Sequence, residues 1–214
     1  MIWENIINHK ELGFIYKTLY KMGDKVTPPL DKVFTPFKLC SYNNLKVVMI
    51  GQDPYYQKGI ATGILFGNKK DTEKLSKSLE LIKESVINYE IPHNKYDFDI
   101  TLESWCKQGV LMINAALTTE INKTNAHSLL WRPFIIDLLQ KLSIYNTGII
   151  YVLFGEKAQS FIPYINKDTN YILTYHHPAY AIRNKVKFNC DAFKIINNIL
   201  KSNNNIKINW YNEY

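Results

Sequence analysis

The chain has 214 residues, 46% of them apolar and 14% aromatic, which suits one domain with a substantial core and excludes a disordered chain. Its net charge of +7 comes almost wholly from lysine, with Arg132 and Arg183 as the two arginines, and fits a polyanionic partner such as DNA or RNA. The apolar runs are too short to cross a bilayer, and "MIWENIINHKEL" lacks a signal-peptide core or a transit-peptide charge pattern, so no membrane partner and a cytoplasmic location are expected.

In chain order, Trp3, Ile6, Ile7, Leu12, Ile15 and Leu19 keep helical spacing and predict a helix over residues 3–21. Short apolar runs then alternate with amphipathic stretches. "LKVVMI" (45–50), "VLMINA" (110–115), "GIIYVLF" (148–154) and "NYILTY" (170–175) read as strands, and residues 72–88, 129–144, 156–165 and 191–201 as helices. Strands apolar throughout and separated by helices indicate a parallel sheet covered on both faces. The expected fold is α/β: a single domain over residues 1–214, three layers (αβα), with a central four-stranded, mainly parallel sheet. An N-terminal helix of about residues 1–22 packs on it.

Ligands of such sheets bind beyond the carboxyl ends of the strands. There the sequence places Gly51-Gln52-Asp53-Pro54-Tyr55, Asn114, Gly155-Glu156-Lys157 and His176-His177-Pro178, which should converge on one edge. Cys40, Cys106 and Cys190 lie far apart without metal-ligand spacing and read as buried free thiols, so no metal is expected. No Walker or G-x-G-x-x-G signature is present, so no nucleotide cofactor is expected, and no G-x-S-x-G appears. What remains is a carboxylate (Asp53), an imidazole (His177), an amide (Asn114) and aromatic surfaces (Tyr55, Phe66). An amide that reads a ring edge and an aromatic that stacks on its face make a base pocket, in which Asp and His can hydrolyse a bond to that base.

Taken singly, each residue has a structural reading. Asp53-Pro54 can start a turn, Asn114 can cap a segment, His177 can be a satisfied histidine, Tyr55 and Phe66 can be core, and Ser78 can bond its own helix. Arg183, Lys185 and Lys187 can be a solvated charge run. Only the convergence at four strand ends favours a site.

These segments resemble family 1 uracil-DNA glycosylases. Gly51-Gln52-Asp53-Pro54-Tyr55 is similar to the family's water-activating motif, and Gly63-Ile64-Leu65-Phe66 to the segment that ends in its uracil-stacking phenylalanine. "LESWCKQGVLMINAALT" (102–118), "HSLLW" (127–131), "VLFGEKAQ" (152–159), His177-Pro178, "FNCDAF" (188–193) and "INW" (208–210) follow in the family's order, over about residues 30–210. The resemblance implies excision of uracil from single- or double-stranded DNA by a monofunctional, cofactor-free enzyme in base excision repair. It implies that Asp53 positions water and stabilises the sugar cation, and that His177 is a neutral donor to uracil O2. Gln52 would offer its backbone amide to O2. Asn114 would pair with N3 and O4, Tyr55 would exclude a C5 methyl, and Phe66 would stack on the ring. DNA contacts would come from Ser78, Gly155, Pro178, Tyr180, Ala181, Ile182 and Arg183. The expected state is a monomer, with a protein inhibitor or replication partner left open.

Four departures from the pattern stand out. Tyr56 replaces the histidine usual after the motif tyrosine, Leu75-Ser76-Lys77 replaces a proline-rich loop, and Glu156 replaces a serine. Ala181 falls where the family has a leucine wedge, so Ile182 or Arg183 is expected to fill the gap left by a flipped nucleotide. A replication-associated DNA-binding module without catalysis, or a glycosylase of altered base preference, remains the alternative.

Overall fold

The computed structural model describes residues 2–89 and 98–211. The chain opens with α1 (Trp3–Ile6) and α2 (His9–Tyr20), where the sequence spacing predicts one helix. The break falls at Asn8, whose side-chain oxygen accepts from the Glu11 N–H at 3.1 Å. Asparagine gains more as an N-cap than inside a helix, so it starts a new helix here. There follow β1 (Val26–Thr27), α3 (Thr35–Leu39), β2 (Val47–Gly51), α4 (Lys77–Tyr89), α5 (Glu103–Lys107), β3 (Val110–Asn114) and β4 (Thr119–Glu120). The remainder comprises α6 (Ser128–Tyr145), β5 (Ile150–Phe154), α7 (Gly155–Gln159), β6 (Tyr171–Tyr175), α8 (Pro178–Asn184) and α9 (Ala192–Ser202).

The central sheet has the order β3-β2-β5-β6 and every pairing in it is parallel, as expected. Every residue of β2, β3 and β5 is buried, because helices cover both faces. Burying each large aliphatic side chain there contributes about 1.5–3 kcal/mol, which is why these runs become the sheet. On one side α1 and α2 pack with α6; elsewhere α4 packs with α8 and α9. The strand at the edge, β6, departs from the expectation of burial throughout, since Tyr171 and Thr174 are exposed. The segment predicted as one helix over 156–165 is α7 followed by a single 3₁₀ turn, Ile162–Tyr164. A two-residue antiparallel ribbon of β1 and β4, too short to leave a periodic signal, was not expected from the sequence.

The strand order reverses at β2, which precedes both of its neighbours in the chain. The crevice beyond the carboxyl ends at such a reversal is where ligands of open α/β sheets bind. Register levels those ends: Gly51 lies beside Asn114, Ile50 beside Leu153, and Phe154 beside Tyr175. The residues that leave β2, β3, β5 and β6 therefore emerge along one row.

Candidate active site

Asp53 leaves β2 two residues beyond the row. Its Oδ2 accepts the Asn125 N–H at 2.7 Å, and Gln52 Nε2 donates to Asn125 Oδ1 at 3.1 Å. Asn125 thus grips both polar residues of the first motif, from 72 and 73 positions away, in a left-handed conformation (φ 59°) that asparagine tolerates better than most residues. Burial pushes the Asp53 carboxyl above its ordinary pKa, while the Asn125 amide and the Gln52 side chain pull it back. The turn is knit to the next strand by Ala115 and Ala116, whose N–H groups donate to the Gly51 and Gln52 carbonyls.

Asn114 ends β3 and is 5% exposed. Its Oδ1 is buried and has no hydrogen-bond partner among the described residues. An orphaned buried acceptor costs about 1–3 kcal/mol, a cost that a ligand N–H can offset. Gly51 is required beside it: a Cβ there would stand 2.9 Å from that oxygen and 2.2 Å from Leu65 Cδ1.

The Phe66 ring lies 5.4 Å from Phe154, edge to face, and 5.5 Å from the His177 ring. Its backbone is left-handed (φ 61°), which is uncommon for an aromatic residue and marks a conformation imposed by its surroundings. Gly63, three residues earlier, allows the segment to approach the Lys32 carbonyl, where a Cβ would fall at 2.0 Å. The Tyr55 hydroxyl meets the Phe66 carbonyl at 3.2 Å and also the Ser76 hydroxyl. Ser76 Oγ donates to Asn68 Oδ1 and accepts the Leu79 N–H, so it caps α4 while fixing Tyr55. Burial pushes the Tyr55 phenol up to about 12, which keeps it neutral.

His177 follows β6 and is the N-cap of α8, its Nδ1 accepting the Ala179 N–H at 3.2 Å. With Nδ1 an acceptor, the ring proton of the neutral imidazole is on Nε2. Burial pushes its pKa down to about 4, so at neutral pH the ring is an uncharged Nε2–H donor. Gly155 serves this residue as well, since a Cβ there would stand 2.9 Å from His177 Cβ.

The structure thus gathers Gln52, Asp53, Tyr55, Phe66, Asn114, Gly155 and His177 at one sheet edge. Ser78 lies half-buried in the first turn of α4. The segment after His177 is a helix, α8, started by a proline at its first position. That changes the expected DNA contacts: Pro178 and Ala181 are buried on its inner side, Ala181 at 3% exposure. Ile182 is half-buried, while Tyr180 and Arg183, one turn apart, are exposed. Sequence reasoning missed Asn125 and Ser76. Asn125 reads as a turn residue before a helix, and Ser76 as a helix cap; neither signal names the distant side chain each one holds.

The family model of the uracil DNA glycosylase superfamily matches residues 37–201. The chain is 34% identical to a uracil-DNA glycosylase of Fusobacterium nucleatum, over 86% of this chain and 81% of that one. It is 33% identical to one of Buchnera aphidicola subsp. Baizongia pistaciae, over 97% and 89% of the two chains. Among solved structures, mimivirus uracil-DNA glycosylase superposes with a TM-score of 0.78 at 25% identity, over 98% of this chain and 89% of that one. A variant of the mimivirus protein in complex with UGI gives 0.79 at 28% identity, over 90% and 79%.

Proposed function

Since the chain belongs to the uracil-DNA glycosylase superfamily, we infer that it excises uracil from DNA, hydrolysing the N-glycosidic bond and leaving an abasic site, with the residues gathered at the sheet edge. The observation that carries this assignment of roles is the orphaned Asn114 Oδ1, buried beside the turn that bears Asp53. Such an acceptor needs an N–H donor of the ligand, and the N3–H of a flipped uracil is one; the Asn114 amide donates in turn to O4. Cytosine, which presents an acceptor at N3 and a donor at C4, meets the opposite pattern. Phe66 stacks on the ring, and Tyr55, held by Ser76 and the Phe66 carbonyl, closes the space at C5 against a methyl group.

As the bond from N1 to the sugar breaks, its electrons leave with the base and charge builds on O2. His177 Nε2–H and the Gln52 backbone amide meet that charge, and a preorganised donor of this kind lowers a barrier by about 3 kcal/mol. The Asp53 carboxylate faces the cationic sugar and orients the water whose oxygen bonds to the anomeric carbon; the water proton balances the departing uracil anion. Neither role calls for a metal or organic cofactor. DNA contacts fall to Ser78, the turn at Gly155, and the outer face of α8 with Tyr180, Arg183 and the half-buried Ile182. The chain acts as a monomer, and the mimivirus complex with UGI supports a protein inhibitor of that kind as a further partner. The test is release of free uracil from single-stranded and duplex oligonucleotides, with thymine, cytosine and 5-hydroxymethyluracil as controls. Uracil release by the wild type and its loss in Asp53→Asn are expected; equal activity of the two proteins overturns the assignment of Asp53.

A further inference from the structure

We propose that His176 and Tyr180 form a stacking platform for a nucleobase next to the flipped uracil, and that the platform favours single-stranded DNA; this rests on the glycosylase reading above. The two rings are nearly parallel, 14° apart, with centroids separated by 4.7 Å. Both residues are exposed, Tyr180 at 41%. The backbone beneath them is fixed, because the Tyr180 N–H donates to the His177 carbonyl at 2.8 Å and the Tyr180 carbonyl accepts from Asn184 Nδ2 at 2.9 Å. Successive side chains of an extended segment point to opposite sides. His177 turns toward Phe66, so His176 and its stacked partner stand outside the uracil pocket, one residue away from it. Arg183, Lys185 and Lys187 are exposed just beyond and suit the phosphates of the same strand.

The stack also decides how such a base is held. A ring that intercalates needs both of its faces free for the bases above and below. Tyr180 has given one face to His176 and keeps one face of its own, which suits end-stacking on a base and not insertion into a duplex. In a duplex the flanking base is already stacked and paired, whereas in a single strand its faces are open. Stacking on an aromatic side chain changes affinity by about 5- to 150-fold per base.

The experiment compares kcat/KM of the wild type, Tyr180→Phe, Tyr180→Leu and His176→Ala on single-stranded and duplex uracil oligonucleotides. Tyr180→Leu and His176→Ala are expected to lose about 5- to 150-fold on the single strand and clearly less on the duplex, and Tyr180→Phe, which keeps the ring, to lose less on the single strand than Tyr180→Leu. In an Asp53→Asn background, 2-aminopurine placed beside uracil in a single strand should be quenched on binding, and Tyr180→Leu should abolish that quenching. Equal losses on both substrates, a loss confined to the duplex, or quenching unaffected by Tyr180→Leu would overturn the platform. Failure of the wild type to release uracil from either substrate would instead overturn the glycosylase reading beneath it.

Discussion

Asp53 is held between two opposing influences, burial that favours its proton and the Asn125 amide that favours its charge. In the proposed mechanism, catalysis needs the ionised Asp53 carboxylate and the neutral His177. Activity should therefore fall with pH through the Asp53 pKa, which is raised above 3.8, and through the His177 pKa at about 4. The profile of kcat/KM against pH should show no inflexion from His177 near 6.5, where an ordinary histidine titrates; an inflexion there that His177→Gln removes would contradict the lowered pKa of the ring. Replacing Asp53 by Asn should reduce kcat by about 10²- to 10⁴-fold, read in single-turnover release of uracil. Asn125 can be separated into its backbone and side-chain contributions. Asn125→Gly keeps the left-handed conformation and the N–H that reaches Asp53, so it should retain most of kcat. Asn125→Ala meets the steric cost of that conformation, about 1–2 kcal/mol, and should lower both thermal stability and kcat. Equal kcat values for the two variants would remove Asn125 from the positioning of Asp53.

At the scale of elements, α8 and α9 show how secondary structure fixes what reaches the surface. The resemblance puts Ala181 at the place of a wedge leucine, but the residue lies buried on the inner side of α8. Ala181→Leu should therefore not create a wedge. It should overpack the contact beneath α8 and destabilise the protein by about 1–3 kcal/mol, measured by urea unfolding. Along α9, Asn197 is buried and clamps the chain's last described segment, accepting the Ile208 N–H at 2.8 Å and donating to the Ile208 carbonyl at 2.9 Å. That clamp presents Trp210 to Trp105 and Phe193, each at 4.9 Å between ring centroids. Asn197→Leu would strand both Ile208 backbone groups and should cost about 1–3 kcal/mol for each group left buried.

For the whole molecule, the net charge of +7 is the property that meets the phosphate backbone. The logarithm of the DNA association constant should fall linearly with the logarithm of salt concentration. The slope should be about −0.9 per phosphate contact on duplex and about −0.7 on single strands. Binding titrations of the Asp53→Asn protein at several salt concentrations measure it, and a salt-independent affinity would exclude phosphate contacts as the source of binding.

Apolar runs of β2, β3 and β5 fixed the sheet from the sequence alone, because a strand buried on both faces needs side chains of one kind at every position. The same logic placed Asp53, Asn114 and His177 at strand ends, since a change from apolar to polar residues marks where a strand leaves the core. The residue types there, one carboxylate, one amide and one imidazole, already limited the chemistry. Three things were left to the tertiary structure. The tautomer and charge of His177 depend on the Ala179 N–H and on burial, and the rotamer of Asp53 on an amide 72 positions away. The outward set of α8 was also hidden, because a short segment after a proline reads equally well as loop or helix until something packs against it. Local propensity and periodicity act over a few residues and are written in the chain. Desolvation, side-chain hydrogen bonds across the fold and the choice of a buried face exist only once distant segments have met.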